Sequence, residues 1–490
     1  MIRKFLKAGA LAALLLLSAC GSESEYTNAL PRNASMMVAV EVDDMARKAK
    51  LDSKEGDAAA RKLKALLKGG LQGEATQLAE RIIDHPSELG LSFTDKVYCF
   101  TTPHAEAFGI VAKVAHESKV EALFEVLAKE NIASPLKEES GCRWAQAGKA
   151  LCAFNDGSFL MLYPSRGDAM SMKATLLSLM RQQAGEGFAA LPEFGRIEAE
   201  GQDIAAVVNF NAIPRNMTTA LRMGLSADIR LEDIKYFVSA NFEQGKVVVK
   251  SESLIQNPQI QHFFDAMDGM TQPLQGNLLD LYRGNTLVWA GGNVKGKELY
   301  DMLRRNPTIR QKLDNPPLPV DVESIFSAID GDVTIGVNSL YSGEFMLYAD
   351  VNNSRFLQTF EDLRPMLALT GGQITLDTVG KDEYLMRTYY GSFWFGVKNK
   401  RLYVTTNRTL AEEAGRTYGA SLGVKPWADE VKQNRLFASA NMSSLNGMIP
   451  AFVASVHGGM PDWRQGSVEI VLKDKQGNLL QSLVAMMENL

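Results

Sequence analysis

Apolar residues recur along this chain with two different periods. Met36 to Val42 alternates and is partly β-branched, as a half-buried strand requires. From Ser354 onward, Phe356, Phe360 and Leu363 return at helical spacing, which gives a helix one apolar face. The runs Tyr236–Phe242 and Lys246–Lys250, joined through Glu243-Gln-Gly245, predict a hairpin. Gly391–Val397 and Arg401–Thr405 predict another, turning at Lys398-Asn-Lys400. Asp43 or Asp44 is placed to cap the helix after the first strand, and Ser118 and Ser354 are placed to cap later ones. Hairpins imply antiparallel pairing, and helices set between them imply an α+β fold of sheet and helix layers.

The pattern also repeats. Leu30–Ala39 resembles Leu281–Ala290, and Ser118–Leu127 resembles Ser354–Leu363. Val207–Asn211 pairs with Phe437–Asn441, and Gln244-Gly245 with Gln476-Gly477. The four matches keep their order at offsets of 251, 236, 230 and 232 residues, differences that loop lengths can absorb. They predict two tandem homologous halves, 30–262 and 276–490, each an antiparallel sheet packed by helices. Asn257-Pro258 and Gln272-Pro273 bracket the expected junction, with a helical segment between them.

The N-terminus departs from this alternation. Arg3, Lys4 and Lys7 precede an uncharged Ala/Leu-rich run from Ala8 to Ala19. Crossing a bilayer takes roughly 20 apolar residues, so the run fits a secretory signal peptide, residues 1–19, instead. Leu17-Ser18-Ala19-Cys20 resembles the bacterial lipobox, in which small residues fit the peptidase and the cysteine thiol receives lipid. Cys20 is therefore the expected lipidated N-terminus, with 20–29 as tether, since more than one acyl chain gives stable anchoring. Gly21 is not Asp, so the inner-membrane retention signal of well-known sorting systems is missing, which favours the outer membrane. Ser22-Glu23-Ser24-Glu25 reads either as a solvated tether or as a short acidic surface-export tag, leaving the periplasmic and cell-surface faces both open.

Composition adds a boundary. The chain has 490 residues, 46% hydrophobic and 22% charged, as a globular protein of several domains would be. Its formal net charge of −5 becomes −8 once the three basic residues of the signal leave. A mildly acidic body lacks the basic stripe that nucleic-acid binding needs.

Together, Leu17–Cys20 and the Leu30–Ala39 strand entry resemble large exported lipoproteins of gut anaerobes that are known only as a domain of unknown function. The resemblance implies a two-part α+β lipoprotein and carries no activity, substrate or catalytic residue with it.

Chemistry is sparse. Gly291-Gly-Asn-Val-Lys-Gly296-Lys297 follows a strand and precedes a predicted helix, Glu298–Arg305, in the context of a phosphate-binding loop. However, Glu298 stands where Ser or Thr should hold the metal, and its carboxylate would repel phosphate, so the stretch reads as an ordinary strand–helix turn. The histidines, 85, 104, 116, 262 and 457, include no His-x-x-x-His pair, and no Gly-x-Ser-x-Gly elbow occurs. No catalytic residue, metal ligand or cofactor is expected. Cys142 and Cys152 flank a plausible turn at Gln146–Gly148, and a disulfide between them is expected only if the register brings their Cβ atoms together.

Two patches suit binding. Arg61, Lys62, Lys64 and Lys68 surround Leu63, Leu66 and Leu67, which suits either a membrane-surface helix or one with its apolar stripe on the core. In the aromatic hairpin, alternation puts Phe393 and Phe395 on one face, and Tyr390 and Trp394 on the other as a candidate ligand-binding pair. The expected role is a non-enzymatic interaction or scaffolding lipoprotein of the outer membrane. Its partners would be the membrane, through the N-terminal lipid, and an envelope protein or glycan. Glycan or peptide binding through the aromatic hairpin is the second reading, and a hydrolase with an unrecognised carboxylate site is the third.

Overall fold

In the computed structural model the described residues are 25–70, 73–103, 106–214, 218, 230–316, 318–418, 425–442 and 451–488. Residues 1–19 and Cys20 lie outside them. The fold is α+β, with antiparallel sheet throughout. The chain divides into two compact units. The first comprises Met1–Ala212, Phe237–Phe242 and Leu479–Leu490, and the second Ile213–Tyr236 and Glu243–Asn478. A single cut between 262 and 276 does not reproduce this division, because Leu479–Leu490 belongs with the first unit and the helix Pro258–Met270 with the second.

The first unit holds β1 (Met36–Val40), β2 (Val97–Thr101), β3 (Ala107–Lys113), β4 (Lys137–Glu139), β5 (Cys142–Ala147), β6 (Ala150–Phe154), β7 (Ser158–Pro164) and β8 (Ile204–Asn209). Their order in the sheet is β8-β1-β2-β3-β7-β6-β5-β4. All five residues of β6 are buried, because both of its faces are covered. On one face the helix Glu117–Lys129 sets Val120 and Phe124 against Ala145, Cys152 and Phe154, with the Phe124 and Phe154 rings stacked 5.8 Å apart. The C-terminal helix Leu479–Glu488 packs on the helices Val42–Ala49 and Lys54–Gly70, burying Val484 with Ala49 and Ala59. The helix carrying Arg61, Lys62 and Lys64 is thus covered on one side by protein, and Lys64 pairs with Asp84.

The strand β9 (Ile234–Glu243) precedes β10 (Lys246–Ile255), with Gly245 turning at φ +73. The second unit then supplies β11 (Thr271–Gln272), β12 (Val288–Lys295), β13 (Ile329–Ser339), β14 (Glu344–Val351), β15 (Thr375–Gly380), β16 (Glu383–Thr388), β17 (Gly391–Lys398), β18 (Arg401–Thr405), β19 (Leu436–Asn441), β20 (Val453–Met460) and β21 (Gln465–Leu472). Their order is β10-β21-β20-β19-β12-β13-β14-β18-β17-β16-β15. One face buries Trp289, Tyr348, Tyr403, Tyr282 and Phe437 in a single core. A second core gathers Phe395, Tyr384 and Leu402 beneath short helices that bring Phe356, Leu357, Leu363 and Leu367. Phe360 packs half-buried on Phe395, the rings 4.8 Å apart.

From β8 to β4 and from β19 to β15 the two sheets run through their strands in the same order. Their edge hydrogen bonds agree as well. Ser35 N–H donates to Thr101 O, and Asn209 N–H donates to Ser35 O; Leu287 N–H donates to Val337 O, and Asn441 N–H to Leu287 O. Asn209 therefore holds the place of Asn441, two residues from the position that the sequence match assigned to it.

The predicted caps are not the ones used. His116 precedes the helix that contains Ser118, and Glu41 precedes the helix that contains Asp43 and Asp44, neither with a side-chain cap bond. Ser354 opens a 3-10 turn, and its hydroxyl reaches Asp382 at 3.4 Å. A cap needs its oxygen level with the second or third amide, and these residues sit within the first turn or point away from it.

Candidate functional site

The outward face of the second sheet is the candidate site. Alternation along β12 sends Trp289 into the core and Val288, Ala290 and Val294 to the opposite side. β19 does the same with Phe437 against Leu436, Ala438 and Ala440, and β20 with His457 against Val456 and Met460. In an antiparallel sheet such a second face is ordinarily polar and solvated. Here it is apolar, and it floors a groove of about 1020 Å³. Gly292 and Gly458 keep the floor low. A Cβ on Gly292 would lie 2.5 Å from Leu436, and one on Gly458 would lie 2.4 Å from the Ser467 carbonyl oxygen.

Two helices and a turn wall the groove. The helix Pro258–Met270 contributes Met267 and Met270, the helix Gly296–Arg304 contributes Leu299 and Met302, and the turn after β20 contributes Trp463. The first of these helices starts at a proper cap, the Asn257 side chain accepting from Gln259 N–H at 2.9 Å. It ends in β11, which pairs with Asn293 and Val294 just beyond the stretch of β12 held by β19. Asp268 in its last turn is gripped by Arg464 at 2.7 Å and lies 3.5 Å from Arg435. Arg435 also donates to the Asp268 carbonyl oxygen at 2.9 Å and to that of Thr271.

No lining residue is Asp, Glu, Lys or Arg. At four positions the polar side chains turn to the protein, Ser251 donating to the Gly466 carbonyl oxygen at 3.5 Å. Asn293 donates to Asp332 at 2.9 Å, the Thr334 and Tyr282 hydroxyls lie 2.7 Å apart, and Thr271 accepts from the Trp463 indole at 3.0 Å. His457 contributes backbone to the groove, while its ring stacks on Trp427 in the core at 4.7 Å and its Nε2 lies 3.4 Å from Glu430. Among the described residues no group of three or more His, Cys, Asp and Glu sits together as a metal site, and no helix is long and apolar enough to cross a membrane.

The residues singled out from sequence lie elsewhere. Cys20 is outside the described residues. Cys142 and Cys152 are free thiols. The β5–β6 register places Cys152 opposite Ala145, three residues along from Cys142, so the condition for a hairpin disulfide is not met. Burial pushes the Cys152 thiol up to about 12. Tyr390 and Trp394 form no joint platform. Tyr390 projects from the turn before β17, 96% exposed, while Trp394 packs against the aromatic core. Gly291 and Gly292 lie in strand, not loop, and Lys297 binds Asp301 at 2.5 Å and Glu323 at 3.3 Å, so the glycine–lysine stretch makes no phosphate cradle. Sequence reasoning missed the groove. Its available signal was strands such as LFASA and VASVHGGM, with apolar or small residues at both parities.

A family model described as "Domain of unknown function (DUF4836)" matches residues 26–458. The chain belongs to this family. The DUF4836 match takes in both compact units and most of the groove, ending within β20. No curated protein matches the chain. Among solved structures, crystal form IV of TP0453 aligns at 11% identity over 47% of this chain and 81% of its own, with a TM-score of 0.27. Crystal form I of TP0453 aligns at 10% identity over 51% and 88%, also at 0.27. Alignments this loose carry no argument.

Proposed function

We propose that this chain is a non-enzymatic interaction lipoprotein of the outer membrane, tethered through Cys20, whose working surface is the apolar groove of the second unit. The observation that supports this reading is a groove of about 1020 Å³ with no charged lining residue. Ligand sites are concave and mostly apolar. Hydrolysis would need acids or bases converging on a substrate, and this groove offers none. The glycan alternative loses its paired platform, because Trp394 packs half-buried against the core. The test is to titrate the full mature chain, made with Cys20→Ala so that no detergent is required, with N-phenyl-1-naphthylamine. Saturable fluorescence that Ala438→Trp abolishes is expected. A folded chain that takes up no probe rules the groove out as a binding surface. For the tether, release of Cys20→Ala from the membrane fraction is expected, and its retention after a carbonate wash would sink the anchor.

We further propose that the two halves descend from one duplicated unit. The shared strand order and the matching bonds of Ser35 and Leu287, and of Asn209 and Asn441, support this reading. In an experimental structure, β1 to β8 should superpose on β12 to β19 in one rigid fit. A fit that needs a different strand order would end it.

A further inference from the structure

We infer that the groove takes the hydrocarbon chain of a lipid and recognises it by its tail alone. This rests on the groove being a binding surface. A peptide or sugar laid in it would set amides or hydroxyls against Val288, Ala290, Leu436 and Ala438, where they would lose water and find no partner. Asn293, Thr334 and Thr271 have already turned their polar atoms to the protein. A ligand without polar atoms along its length suits that lining best.

The walls add to the argument. Met267, Met270, Met302 and Met460 supply unbranched, adaptable side chains that can repack around chains of differing length and bend. The groove is open to solvent, with Ile335 and Val468 toward opposite ends of its floor 37% and 42% exposed, so a head group can stay in water while the tail is covered. The nearby cations are already engaged. Arg464 and Arg435 hold Asp268, and Lys295 donates to the Gly269 carbonyl oxygen at 3.1 Å. No unpaired charge among them is left to read a head group.

The experiment is displacement of N-phenyl-1-naphthylamine from the full mature Cys20→Ala chain, with every competitor below its micelle threshold. Decanoate, laurate, myristate and palmitate form one series, and the corresponding monoacylglycerols and lysophosphatidylcholines form two more. Competition should strengthen about fourfold per added methylene until the groove is filled. At a fixed chain, exchanging the head group should change it by less than about threefold. Val468→Asp, which adds a charge toward one end of the floor without filling the groove, should weaken every series alike while its circular dichroism stays that of the parent. Probe binding that no acyl chain displaces would overturn the lipid assignment and leave the binding surface intact. Selectivity set by the head group at constant chain would overturn tail recognition. Probe binding that falls as protein concentration rises would assign the face to a second copy, and no probe binding at all would overturn both readings.

Discussion

Arg464 Nη1 lies 2.7 Å from Oδ2 of Asp268, and this contact holds the last turn of a groove helix to the turn between β20 and β21. Both side chains are about three-quarters covered, and Arg435 approaches the same carboxylate. Asp268→Ala should therefore lower stability by about 1 kcal/mol, at the upper end for a partly exposed pair, or roughly 2–4 °C in melting temperature for a unit of this size. Limited proteolysis should begin within 258–272 in this variant and not in the parent.

Gly336 is a tighter constraint. A Cβ there would lie 2.4 Å from the Tyr282 ring, which packs on Trp289 and Tyr348 in the aromatic core. Gly336→Ala should cost roughly 1–3 kcal/mol by overpacking, read by urea denaturation of the full chain.

The aromatic hairpin separates two residues that its sequence would group. Tyr390→Ala should change stability by less than about 0.5 kcal/mol, as surface substitutions do, because it is 96% exposed. Trp394→Ala should cost about 2 kcal/mol, since its ring packs on the core. Equal effects from the two would refute this division.

Cys142 and Cys152 should both alkylate in denaturant without reductant, leaving no mass shift on later reduction. In the folded chain at pH 8, Cys152 should stay unmodified. Its buried thiol titrates near 12, far above the buffer.

Glu413 supplies a pH dependence. The Tyr418 hydroxyl, then Arg283, holds its carboxyl below the usual carboxylate range. A depressed folded value means that its stabilisation is present above the unfolded value and is lost as pH falls through the folded one. The parent should therefore lose more stability than Glu413→Gln between about pH 5 and pH 3. A steeper loss in the variant would reverse the assignment.

Local structure was legible wherever one residue type had one job. Asn399 and Lys400 adopt φ +52 and +61 in the predicted β17–β18 turn, the double left-handed conformation that a tight hairpin asks for. Asn257-Pro258 opened a helix where that pair should. Caps were less legible, because Ser118 and Ser354 suit a cap only if the chain enters at the right angle, and packing decides that angle. The groove was not legible at all. Its floor comes from seven neighbouring strands spread over 249–468, and each strand by itself looks like an ordinary core strand. Only the sheet order shows that no layer covers their second face. The disulfide failed for a similar reason, since the β5–β6 turn sits at Gly148-Lys149, which sets Cys152 opposite Ala145 and leaves Cys142 further along.

The helix Leu479–Glu488 belongs to the first unit, and Gln481 donates to the Lys48 carbonyl oxygen across 433 residues of sequence. Domains made early in synthesis usually close before later ones emerge. For one corner of the first unit that order does not hold. Val484 packs with Ala49 and Ala59, so this helical corner of the first unit closes only after the second unit has been synthesised, while the sheet of residues 36–209 needs no such wait.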